Sequence, residues 1–264
     1  LGTLPVQIYP LGIKISGVHI DGAVSVYGAR SGGGLHRPLP RFNIKHSVFS
    51  NGLDVSEARC ETIYATDCVF HQLPPGEFYQ EGDVLSAIHA SATEVVGMFG
   101  LLQCTINGRL DLTNSVIDDD LGIYECTVAE SIECSNAEIR GNTHFQLSHF
   151  LNQSGAASSI LMVGMECRAT VMFGDCRMSG PLDLSLMIAQ SLYLERVRVQ
   201  NGGINCLASH LSDGAILIAC RVDGELSLNR TRATGGIAIA STVIGKHAQP
   251  ANVDVQGIEA EFIR

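Results

Sequence analysis

Tryptophan is absent from this chain of 264 residues, and all aromatic residues together make up 6% of it. Flat amphipathic rings are a common means of stacking the apolar face of a sugar, so a carbohydrate-processing groove has little to be built from. Catalytic signatures are missing as well. There is no Gly-x-Ser-x-Gly elbow and no Gly-rich phosphate loop followed by Lys, and Gly32-Gly33-Gly34 does not join a strand to a helix as a nucleotide fingerprint does. None of the nine cysteines forms a Cys-x-x-Cys pair, and His144 and His149 have no cysteine at ligand spacing. That argues against zinc and dithiol chemistry. No apolar run reaches the length of a membrane span, and no secretory pattern is recognisable.

What is present is an eleven-residue period. Phe99-x-Leu101-x-x-Cys104-x-Ile106-x-Gly108 is followed by Leu110-x-Leu112-x-x-Ser115-x-Ile117, then Leu121-x-Ile123-x-x-Cys126-x-Val128, then Ile132-x-Cys134-x-x-Ala137-x-Ile139-x-Gly141. The same frame starts at Ile13, Val24, Phe42, Leu53, Ile63 and Ile88 upstream, and runs downstream from Thr143 to Val253 with slips to ten or twelve. Apolar residues two apart lie on one face of an extended segment, whereas a helix would space them by three and four. Each unit is therefore a short stacking element without a private core.

Two strands per unit, each followed by a corner, give four sides in about 22 residues. The expectation is an all-β chain: a right-handed parallel β-solenoid of about ten coils, forming one elongated domain over residues 1–264. A three-sided coil would use the same inward residues. Loops are expected to project at 31–41, 71–87, 151–159 and 246–252. The inward positions are the first, third, sixth and eighth. Glycine at the tenth (Gly22, Gly97, Gly108, Gly141, Gly180, Gly224) suggests a corner with unusual backbone angles. Outward neighbours such as Gly122 and Glu133 should accept polar substitutions freely.

The small residue followed two later by a large one (Ser47-x-Phe49, Cys68-x-Phe70, Ala137-x-Ile139) resembles the core of pentapeptide-repeat proteins. The full frame is similar to bacterial proteins built of Leu-x-Leu-x-x-Ala-x-Ile-x-Gly units, and the resemblance spans roughly residues 13 to 260. It implies a quadrilateral β-solenoid. It also implies one function, because some pentapeptide-repeat proteins mimic a DNA duplex and occupy a topoisomerase or another DNA-binding protein.

All nine cysteines fall on inward positions, where they serve as compact hydrophobes. An odd number of buried thiols suggests a reducing compartment, the cytoplasm. The chain opens on Leu1, which suggests a fragment or a processed N-terminus. The final unit from Val253 still carries apolar inward residues, which suggests a covered end, as in a homodimer through a terminal coil.

Charge is unevenly distributed. Residues 1–53 hold five bases against Asp21, residues 54–138 hold sixteen acids against Arg59 and Arg109, and residues 139–264 balance ten against ten. The middle block, with the run Asp118-Asp119-Asp120, is either a solvated face or a surface offered to a basic partner. The acids show no recurrence at one outward position. Inserts cannot enter a stacked column, so they project, and the loop carrying Pro74, Pro75, Phe78, Tyr79, Glu81 and Asp83 is the leading candidate contact. The reading is a non-catalytic scaffold that binds a protein, such as a basic or DNA-binding one, through these loops and the acidic face. Neither cofactor, metal nor direct nucleic-acid binding is expected. The alternatives are nucleic-acid mimicry and, behind it, a carbohydrate-active β-helix enzyme using paired carboxylates.

Overall fold

The computed structural model describes residues 8–9, 12–29, 38–73, 85–155, 158–246, 249–250, 253–254 and 259–260. One coil shows the plan. Strands Phe99–Leu102, Thr105–Asn107, Arg109–Asp111 and Val116–Ile117 make its first, second, third and fourth sides. Leu121–Tyr124 then lies on the first side of the next coil, parallel and in register, with Phe99 opposite Leu121 and Leu101 opposite Ile123. On the third side Leu110 lies opposite Ile132. The coil is therefore four-sided, and no helix occurs among the described residues.

The second and third sides form sheets of eleven and ten strands, while the first and fourth belong to one seventeen-stranded sheet. They join because Glu166–Gly174, Ile188–Glu195 and His210–Ile218 run through the corner between them. Phe49 and Phe70 stack at 4.8 Å between ring centroids, and Phe145 and Phe173 at 4.7 Å. Those distances equal the separation of paired strands, so aromatic side chains rise with the backbone ladder.

The inward frame is as the period requires: first, third, sixth and eighth residues of the central units are buried. Polar inward residues are satisfied across coils. Ser115 donates its hydroxyl to the Ala90 carbonyl at 2.5 Å, Thr93 to Val55 at 2.7 Å and Ser209 to Leu184 at 2.6 Å. A hydroxyl two residues from an apolar partner thus costs little, because the neighbouring coil supplies an acceptor.

The corners differ from the sequence expectation. The left-handed residue is the fifth of each unit, as at Gln103 (φ 54°), Asn114 (φ 58°), Glu125 (φ 53°) and Leu186 (φ 57°). The tenth-position glycines have no positive φ. Gly22 has open space around it, but at the other five size matters: a Cβ on Gly97 would lie 2.8 Å from the Glu61 carbonyl oxygen, and one on Gly108 would lie 2.9 Å from that of Leu85. Backbone of the preceding coil passes there, which leaves room for hydrogen alone.

Outward positions are also less permissive than expected. A Cβ on Gly122 would meet the Tyr124 ring at 2.5 Å, and Glu133 is held by Arg109 at 3.3 Å. The loop expected at 71–87 is narrower, because Val69–His71 and Ser86–His89 are strands. Of the loop at 31–41, residues 31–37 lie outside the described residues, and Leu39 already bridges to Cys60. In the segment 246–252 the chain reverses, with Lys246 antiparallel to Gln249 and Gly245 to Pro250. Ile8–Tyr9 likewise lies antiparallel on Gly12–Ser16. Most of the last unit lies outside the described residues.

Two substitutions test this frame by thermal and denaturant melting. Leu121→Asp places an unpaired charge in the apolar column and should cost at least about 3 kcal/mol. Leu186→Gly relieves a left-handed leucine, which for an L-residue costs roughly 1–2 kcal/mol, and should be neutral to stabilising. A clear destabilisation by Leu186→Gly would contradict the corner geometry.

Candidate functional site

Because coils stack in register, every outward position becomes a column of side chains. On the third side one column reads Asp54, His89, Asp111, Glu133, Leu161 and Asp183. Acids therefore do recur at one outward position, contrary to the sequence expectation. Basic side chains fill the gaps. His89 lies 3.6 Å from Asp54 through Nδ1 and 3.7 Å from Asp111 through Nε2, and Arg109 reaches Asp111 at 3.8 Å and Glu133 at 3.3 Å.

The same stitching occupies the rest of the acidic block. Arg140 bridges Asp118 at 2.6 Å and Glu138 at 2.9 Å, and Arg168 reaches Glu138 at 2.7 Å from the next coil. Asp120 accepts the Asn142 backbone amide at 2.6 Å, and buried Glu130 accepts that of Ser154 at 2.8 Å. Of the run 118–120, Asp119 alone is exposed, and its side chain alone has no partner among the described residues. Arg140, with Arg168 behind it, holds the Glu138 carboxyl below its usual range, and the Arg196 guanidinium does the same for Asp175. Pro74, Pro75, Phe78, Tyr79, Glu81 and Asp83 lie outside the described residues, so the structure does not join the loop to the acidic face.

A second column was not legible in the sequence. On the second side His149, Arg177, Arg198 and Arg221 lie directly above one another, all exposed. Earlier coils place Val48, Val69, Thr105 and Thr127 at this position. Arg221 has a long contact of 3.9 Å to Asp223, while the side chains of Arg177 and Arg198 make no ion pair or hydrogen bond among the described residues. His149, Arg177, Arg196 and Arg198 line one groove of about 370 Å³. The intervals in sequence are 28, 21 and 23 residues, and that irregularity is what conceals the column.

The cysteines are all buried and free. Cys104 donates its backbone amide to Cys126 Sγ at 3.4 Å, which places these two in adjacent coils. Burial pushes the Cys60 and Cys176 thiols up to about 12. Among the described residues no group of three or more His, Cys, Asp or Glu is arranged to hold a metal, and no helix is long and apolar enough to cross a membrane, which says nothing of a β-barrel.

These features define a four-sided parallel β-solenoid, the architecture that the pentapeptide-like frame implies. No family model matches the chain, and no curated protein matches it. Among solved structures the chain is similar to two trypsin-treated variants of QnrB1, a plasmid-mediated fluoroquinolone resistance protein. Identity is 14% and 12%, the TM-score is 0.38 in both cases, and the match covers 94% of this chain and 91% of each of those. At that distance the functional reading rests on this chain's own surface.

Two measurements follow. At pH 8 native protein should leave its nine thiols unlabelled by a small alkylating reagent, and denatured protein should release all nine. Glu138 has a depressed folded pKa, so its contribution is present above the unfolded value near 4.5 and is lost as pH falls through the lower folded value. Glu138→Gln should therefore destabilise the protein at pH 7 and make no difference at about pH 2, by melting at each pH.

Proposed function

We infer that this chain is a non-catalytic, rigid scaffold that binds a protein partner, in the reducing setting of the cytoplasm. The observation that supports it best is the division of labour between inside and outside. The buried inward positions, all nine cysteines among them, pack an apolar column, while outward residues stand in register as columns of charge. A column in register offers a partner a straight, repetitive surface, and such a surface suits recognition better than chemistry. The pinned carboxylates at Asp118, Asp120 and Glu138 suit the staple role, so the proposed contacts are the exposed Asp119 and, on the sequence reading alone, the segment 74–84.

A second reading, mimicry of nucleic acid toward a DNA-binding protein, draws on the recurring acids Asp54, Asp111, Glu133 and Asp183. Its weakness is the alternation with His89 and Arg109, which breaks the negative line.

A pull-down from the native host, with the captured protein then titrated against variants, tests both. Replacing 74–84 by a short Gly-Ser link should weaken capture at least tenfold, while Asp119→Lys should weaken it modestly. Under mimicry, Arg109→Gln, which unmasks the acidic column, should instead strengthen binding of a basic partner. Binding that ignores all three variants would end the scaffold reading for these surfaces.

A further inference from the structure

We propose that the arginine column on the second side is a binding site for a chain of phosphate groups. This goes beyond the protein-scaffold reading, and it stands or falls by its own ligand.

Arg177 and Arg198 are directly paired across adjacent strands, and Arg198 is paired in the same way with Arg221. Like charges opposite one another on neighbouring strands repel, so this arrangement works against the fold. Other arginines of the rod have carboxylates: Arg109, Arg140, Arg168 and Arg196 all do. Arg177 and Arg198 have none among the described residues. Nor does the architecture need a cation there, since Val69, Thr105 and Thr127 fill the same position in earlier coils. A local rule broken without a structural gain marks a place where a ligand supplies the missing charge.

The geometry narrows the ligand. Arg177, Arg196, Arg198 and His149 converge on one groove, and Arg198 and Arg221 line a second beside it. An anion seated between two rungs receives N–H groups from the guanidinium above and the one below. A carboxylate can accept from two guanidinium groups, as Glu138 does from Arg140 and Arg168, but its two oxygens meet only one fork in bidentate fashion. A terminal phosphate has three free oxygens and the next group of a phosphate chain adds more, enough for a fork from each side. Spacing agrees. Successive sites along the column are separated by the strand distance of about 4.8 Å, closer than the about 6.6 Å between carboxylates on alternate residues of an extended peptide. A flexible chain of directly linked phosphates, with shorter links, can place groups at that interval. Asp175 and Asp223 border the column. They favour a short run of anionic groups over a long duplex.

The probe is inorganic tripolyphosphate, titrated calorimetrically at low salt. Wild-type protein should bind it and melt at a higher temperature in its presence, as ligand linkage requires. The double variant R177Q/R198Q should lose at least tenfold in affinity and melt no lower than wild type, because it removes a like-charge stack. Arg230→Gln, at an exposed corner away from the column, should stay within twofold of wild type. Long-chain polyphosphate and oligothymidylate, compared at equal phosphate concentration, separate the two sources of such a chain, an inorganic polymer and a nucleic-acid strand. Oligoglutamate binding as tightly as either would overturn the phosphate assignment. Absence of any thermal shift at millimolar tripolyphosphate, or equal affinity of the double variant, would overturn the site.

Discussion

The hydrogen-bond ladder from each coil to the next is the interaction on which everything else depends. A coil of short strands has no core of its own, and apart from tight corner bonds such as Ser115 to Leu112 its amides find carbonyl partners in its neighbours. Phe99, Leu110 and Leu121 each donate to the following coil, and Val116 and Thr105 to the preceding one. Once that ladder is in register, a residue's vertical neighbours are decided by coil length, and each position belongs to a column. Inside, the columns must be apolar or self-satisfying. Outside, they must manage charge.

Both solutions are visible. Inside, the sixth position is filled mostly by the small residues Cys, Ser, Thr and Ala, with Met165, Met187 and Val197 among the larger exceptions, and a hydroxyl there reaches a carbonyl of the adjacent coil, as Thr231 does with Cys206 at 2.5 Å. Outside, most carboxylates of the acidic block serve as ties between coils. Gln103 to Glu125 and Arg196 to Asp175 repeat the same device at the left-handed corners. Exposed pairs of this kind contribute little singly, but they fix register side by side along the rod.

The inward frame was legible because it depends on spacing inside eleven residues, which the sequence preserves even where coils lengthen. Outward columns were not, because they depend on whole-coil lengths, and the insertion after Phe150 moves Arg177 away from the interval that would have paired it visibly with His149. The corner was misread for a related reason. Glycine at the tenth position advertises itself, yet it answers to backbone crowding, while the residues that carry the left-handed turn include Leu147, Leu186 and Arg196, whose side chains give no hint of it. Of the expected contact residues, Asp118 and Asp120 turned out to be internal ties, which a count of charges per segment cannot distinguish from a free acidic face.

A stack of parallel coils with open ladder edges has the makings of a fibre, since one rod can template another. The reversals at Ile8–Tyr9 and Gln249–Pro250 bear on that hazard. Each lays an antiparallel strand on the edge of one side, so an arriving parallel coil meets a ladder running the wrong way. Pro250 adds a position with no amide to donate. On those two sides a parallel addition would first have to displace the reversed pairing.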